Sequence, residues 1–178
     1  MAYFFENLDL RTREYMLREI ELDAASGTLY LSPRLRPESE QQYVSSLRDA
    51  ARAHSEHWMA EQIRARRLLR SEEERTSLNG GTVTLRVPLT ACDSLAEDEF
   101  NRFYARAICA RAVDIGLPHV EVYRAKAVSM LRPESESIIG TRLAADALLA
   151  RLRKANRVEH ALGLTEVART GVTVRLVW

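Results

Sequence analysis

The residues best suited to grip a phosphate or a carboxylate lie in one short run. Arg64, Arg66, Arg67 and Arg70 fall within Arg64–Arg75, which reads RARRLLRSEEER. A guanidinium presents a planar fork of N–H donors that meets either anion bidentately. At helical spacing Arg66, Arg67 and Arg70 share a face, and such a face can follow a nucleic-acid backbone. Glu72, Glu73 and Glu74 come next. Carboxylates three or four residues on can pair with these arginines and neutralise the face. The run therefore reads in three ways: a candidate nucleic-acid contact, an arm that touches protein, or a solvated helix that pairs with itself.

Other reactive side chains are sparse. His54, His57 and Glu61 stand at i, i+3 and i+7, one helix face that can present ligands to a metal. The spacing is not the H-E-x-x-H of zinc proteases and no fourth ligand accompanies it, so no metal site is expected. Cys109 lies inside a helical pattern beside Ile108 and reads as a small core residue. Cys92 precedes that helix, where the backbone dipole favours a thiolate. Asp93, Glu97, Asp98 and Glu99 crowd the same end and oppose it. The cysteines form no CxxC pair. No G-x-S-x-G, phosphate-binding loop or G-x-G-x-x-G is present, and Asn79-Gly80-Gly81 is too short to cradle a phosphate. No catalytic residue and no cofactor are expected.

The two ends are aromatic. Tyr3, Phe4 and Phe5 open the chain and Trp178 closes it. Chain ends are usually polar and frayed. Aromatic ends are tied down, on their own core or on a neighbour, and Tyr and Trp are frequent interface anchors. Tyr3, Phe4, Phe5 and Trp178 are thus the candidate protein-interaction residues.

The elements that position these groups follow from periodicity. A first helix is predicted over Leu8–Asp23, capped by Asn7 or Asp9 and ended by Gly27. Thr28–Leu31 reads as a short strand. Pro37 suits a first helical position, and a helical pattern runs from it through Tyr43, Leu47 and Ala50 to Trp58, Ile63 and Leu68, as one helix or as two broken near His54. Ser77–Gly81 reads as a loop. Thr82–Leu89 alternates, which puts Val83, Leu85, Val87 and Leu89 on one face, and Pro88 restricts it to an edge or an end. Ser94 and Glu97 form a capping box for a long helix through Ile115, with Gly116 and Pro118 as its stop. His119–Ala125 is a predicted strand with Val120 and Val122 inward. Arg142–Asn156 is a helix and Val172–Trp178 a closing strand. The expectation is an α+β single domain over 1–178. About four short strands form one mixed sheet, packed by about five helices around the long one. An N-terminal aromatic arm (1–7) and a charged helical segment and loop (64–81) are the parts outside that scheme.

Composition narrows the function classes. The chain has 178 residues and a formal charge of +1, so no global field draws it to nucleic acid or to an anionic membrane. Twenty-four of the 26 basic residues are arginine, the exceptions being Lys126 and Lys154. That bias suits anion recognition, or reflects codon usage. No stretch approaches the length of a membrane span, and Met1–Leu10 lacks a signal-peptide pattern, so a cytoplasmic protein with reduced thiols is expected. The hexapeptide Leu-Arg-Pro-Glu-Ser-Glu occurs at Leu35–Glu40 and again at Leu131–Glu136. It reads as a duplicated half-domain or, since the flanks do not align, as one helix-start solution used twice.

The strings Glu99–Ala112 (EFNRFYARAICARA), Val120–Lys126 (VEVYRAK), Arg132–Gly140 (RPESESIIG) and Thr170–Leu176 (TGVTVRL) resemble an uncharacterised family of small proteins associated with phage and prophage gene clusters. The resemblance assigns no active residue. It implies a non-enzymatic structural or assembly protein, a virion component assembled in the host cytoplasm. Its partners would be other protein subunits, in a homo- or hetero-oligomer, and no membrane. A nucleic-acid-binding or regulatory module using Arg64–Arg70 is the alternative.

Overall fold

The structure, a computed structural model, describes residues 3–76, 80–129, 132–164 and 169–178. It is an α+β fold built around one helix, α4 (Ala91–Asp114). Every residue of α4 from Glu99 to Cys109 is buried. A helix buried on all sides needs neighbours all round. They are α1 (Leu10–Ser26), α3 (Glu56–Ala65) and α6 (Ala145–Lys154), with α2 (Glu40–Ala53) packed on α1 and α3. The remaining side is covered by a three-stranded antiparallel sheet, β4-β3-β5, made of β3 (His119–Arg124), β4 (Arg142–Ala144) and β5 (Val172–Leu176). Val120, Val122, Val172, Val174 and Leu176 supply its buried face, and all belong to the one hydrophobic core.

Local chemistry sets most helix ends. Asp9 caps α1, its Oδ1 accepting the Thr12 N–H at 2.8 Å, and Gly27 ends the helix in the left-handed region at φ 69°. The chain breaks at His54, and Ser55 caps α3 by accepting the Trp58 N–H at 3.2 Å. Both copies of the hexapeptide put their proline at the first position of a short helical turn, the 3-10 turn Pro37–Ser39 and α5 (Pro133–Ser137). Leu131 lies outside the described residues.

Several expectations need correction. The long helix starts at Ala91, three residues before the expected cap. The Ser94 N–H donates to Thr90 O at 2.9 Å, so Ser94 sits inside the first turn. Thr28–Leu31 forms no strand; the Leu29 and Leu31 side chains pack against the core from irregular chain. Arg142–Ala144 is strand rather than helix, because the turn at Gly140 (φ 81°) returns it alongside β3 in the register His119↔Ala144. The single mixed sheet is instead, among the described residues, two antiparallel ones, β4-β3-β5 and a two-stranded ribbon of β1 (Glu72–Thr76) and β2 (Thr82–Arg86). Periodicity identified strands but carries no information on which of them meet.

The core holds a charged network. Arg106, 1% exposed, donates to Glu19 Oε2 at 2.8 Å and to both Asp23 oxygens at 2.7 and 2.9 Å. Arg153 reaches Glu19 from α6 at 2.6 Å, and Arg102 pairs with Glu99 at 2.7 Å. Three arginines thus meet three carboxylates. A buried charge is tolerated only when paired and hydrogen-bonded in this way, and the arrangement fixes how α1, α4 and α6 lie against one another.

Candidate protein-interaction surface and arginine groove

The second sheet stands apart from the core. β1 (Glu72–Thr76) and β2 (Thr82–Arg86) pair antiparallel, with Glu73↔Leu85 and Arg75↔Val83 opposite each other. Every residue of the two strands except Glu73 is exposed. The face shared by Val83 and Leu85 is an exposed one: both are more than 40% exposed, and Leu89 is 93% exposed. The alternation identifies their shared face and carries no information on whether another element covers it. Of the connecting loop, Ser77, Leu78 and Asn79 lie outside the described residues. The ribbon is fixed at its base. Arg34 grips Glu73 through two bonds of 2.6 and 3.0 Å, and the Val87 N–H donates to Ser71 O at 2.9 Å. The Arg34 guanidinium holds the Glu73 carboxyl below its ordinary range.

The predicted charged helix over Arg64–Arg75 does not form. α3 ends at Ala65 because the chain turns back to bury Leu68. The Leu68 N–H donates to Ile63 O at 3.0 Å, and Leu68 is 0% exposed. That closure needs a left-handed residue, usually glycine. Here it is Arg67, at φ 52°. Arg66, Arg67 and Arg70 consequently share no helix face, and the expected pairing with Glu72–Glu74 is lost to strand geometry.

Instead, Arg64, Arg67 and Arg70 line a groove of about 930 Å³ together with Arg36. Its apolar wall comes from Leu69, Val87, Pro88 and Leu89, and the start of α4 forms one end. Arg64 is paired with Asp93 at 2.7 Å and Arg36 with Glu38 at 3.2 Å. Arg70 donates through Nε to the Leu35 carbonyl at 3.2 Å. Neither Arg66 nor Arg67 has an ion-pair partner among the described residues. Sequence reasoning singled out three of these four arginines. It missed Arg36, nearly thirty positions before Arg64, because only the antiparallel bridge Leu35↔Leu69 brings the two segments together.

The aromatic ends divide. Phe5 is packed inward against Phe100 (centroids 5.3 Å) and Tyr104 (4.5 Å), and Tyr3 stacks on Phe5 at 5.1 Å. The arm is pinned by backbone bonds. The Phe4 N–H donates to Ala125 O at 2.7 Å, the Tyr123 hydroxyl donates to Phe4 O at 2.9 Å, and Asn7 accepts the Leu176 N–H at 2.9 Å. Tyr3 and Phe5 are therefore elements of this chain's own packing. Phe4 (71% exposed) and Trp178 (82%) point outward.

The remaining candidates are dispersed. His54 lies past the end of α2 and stacks on Trp58 at 4.1 Å, while His57 contacts Glu61 at 3.4 Å. Among the described residues, no group of three or more His, Cys, Asp or Glu side chains is placed to hold a metal. Burial pushes the Cys109 thiol far up, and raises that of Cys92 as well despite Arg64 nearby. The two form no disulfide. No helix among the described residues is long and apolar enough to cross a membrane.

The chain matches no family model, no curated protein and no solved structure. The resemblance to a phage-associated family stays an expectation carried by four strings of residues.

Proposed function

We propose that this chain is a non-enzymatic assembly protein that binds neighbouring protein subunits, with the β1–β2 ribbon as its main contact. The observation that carries this reading is the ribbon's exposure. A two-stranded ribbon is marginal in water on its own. This one places Val83 and Leu85 in solvent and leaves both outer strand edges without a strand partner among the described residues. Free edges of this kind pair with strands of another chain. Phe4 and Trp178 supply exposed aromatic anchors elsewhere on the surface. The phage-family resemblance suggests a virion as the setting, assembled in the host cytoplasm.

The test is photocrosslinking in the native cell from a benzoylphenylalanine placed at Thr84. Adducts of one discrete protein mass are expected, lost when Val83→Asp and Leu85→Asp are added. Absence of any protein adduct, or adducts indifferent to those substitutions, would overturn the reading.

Nucleic-acid binding through Arg64, Arg66, Arg67 and Arg70 is the competing reading, favoured by the unpaired heads of Arg66 and Arg67. Against it stand the missing helix face and the exposed Glu72 and Glu74 close by. A DNA titration at low and moderate salt separates the two, since phosphate contacts weaken steeply with salt.

A further inference from the structure

We infer that the arginine groove at the base of the ribbon receives an extended acidic and apolar peptide segment of the partner subunit. The inference rests on the assembly reading and names the chemistry of the partner. Four arginines line the groove against two carboxylates, Glu72 and Asp93. Asp93 is already engaged by Arg64, and Arg36 by Glu38. Arg67 and Arg70 are left with guanidinium donors that no carboxylate among the described residues occupies. Both are solvent-exposed, so a ligand that brings negative charge finds their donors free to pair.

It can also bring apolar groups. Val87 is half-buried, and Pro88 and Leu89 are exposed along the same wall. Covering them stabilises a complex in proportion to the apolar area removed from water. The two unpaired cations come from different elements, Arg67 at the end of α3 and Arg70 before β1. Charge spread in this way suits a row of carboxylates better than one headgroup. Among the described residues no aromatic side chain lines the groove, so bases would find no stacking platform, which is the usual source of single-strand affinity. Finally, Glu72 and Val87 belong both to the groove and to the ribbon base. A subunit docked on the ribbon would bring a flanking segment directly past it.

Arg67 carries a strained backbone where glycine is the ordinary choice. That makes Arg67→Gly an informative variant: it removes the guanidinium and suits the backbone, so the protein stays folded. The probe is a fluorescein-labelled dodecapeptide of alternating glutamate and leucine, followed by anisotropy. Binding is expected to weaken with salt, and to fall about tenfold or more in Arg67→Gly with Arg70→Gln. A lysine–leucine peptide and a glutamate–serine peptide should bind far more weakly. Equal binding of the lysine–leucine peptide, indifference to the arginine substitutions, or tighter competition by laurate or by single-stranded DNA would overturn the inference. Val83→Asp with Leu85→Asp should leave the peptide affinity unchanged while abolishing the crosslink from position 84. Failure of the groove and failure of the ribbon are thereby read separately.

Discussion

Arg67 occupies a backbone conformation that costs a residue with a Cβ roughly 1–2 kcal/mol and costs glycine nothing. Its side chain makes no ion pair among the described residues to offset that. Arg67→Gly is therefore expected to raise stability by about 1 kcal/mol, read from urea unfolding. Glu99 is a second residue out of its ordinary state. Burial pushes its carboxyl up from 4.5 to about 7, with Arg102 opposing the shift. A carboxyl raised on folding contributes stability below its unfolded value and loses it as pH rises through the folded one. Wild-type protein should lose stability between about pH 4.5 and pH 7 relative to Glu99→Gln, whose profile should be flatter over that range. Thermal melts across the range check this, and parallel profiles would refute it. At Arg106 the surroundings leave no slack. Arg106→Met takes both close hydrogen bonds from the buried Asp23 and leaves Glu19 to Arg153 alone, and should cost about 3–5 kcal/mol by denaturant titration.

The helices and strands answer to a different accounting, that of what each buries. β1 and β2 cover almost nothing, so Val83→Thr with Leu85→Thr should leave folding stability within about 0.5 kcal/mol, measured by calorimetry. The same contrast explains what could be read in advance. α1 was legible because Asp9 and Gly27 are local signals, and α4 because apolar residues recur at helical spacing from Phe100 to Ile115. The ribbon's direction of exposure was not legible, since alternation marks two faces and names neither as inner. β4 was hidden by Leu143, Leu148 and Leu152, which also fit one helix. The end of α3 was hidden by Arg67, a residue that no stop signal predicts. The arginine run was visible as a charge cluster, but its conversion from helix face to groove wall depended on where Leu68 found its cavity.

At the level of the whole molecule, the N-terminal segment acts as a clasp across α3, α4 and the sheet. Phe5→Ala should cost about 2 kcal/mol or more, because it opens a hole against Phe100 and Tyr104. Trp178→Ala, at a site in solvent, should change stability by less than about 0.5 kcal/mol. Unfolding curves of the two variants compare them directly, and the reverse order would mean that Trp178 folds back onto its own chain. The aromatic ends were thus half legible: the sequence told that they were unusual, and only packing told which of them face inward.

The clasp also has an order of events built into it. Its first residues leave the ribosome before anything they hold. Phe5 waits for Phe100 and Tyr104, Phe4 for Tyr123 and Ala125, and Asn7 for Leu176, a separation of 169 positions. Contacts so distant along the chain form slowly. A nascent chain must carry the rings of Tyr3–Phe5 uncovered at least until α4 and β3 have been made, and the bond to Asn7 closes only once β5 exists. Translation that stalls before α4 is complete would yield a polypeptide with those rings still uncovered, a ready mark for a chaperone or a protease.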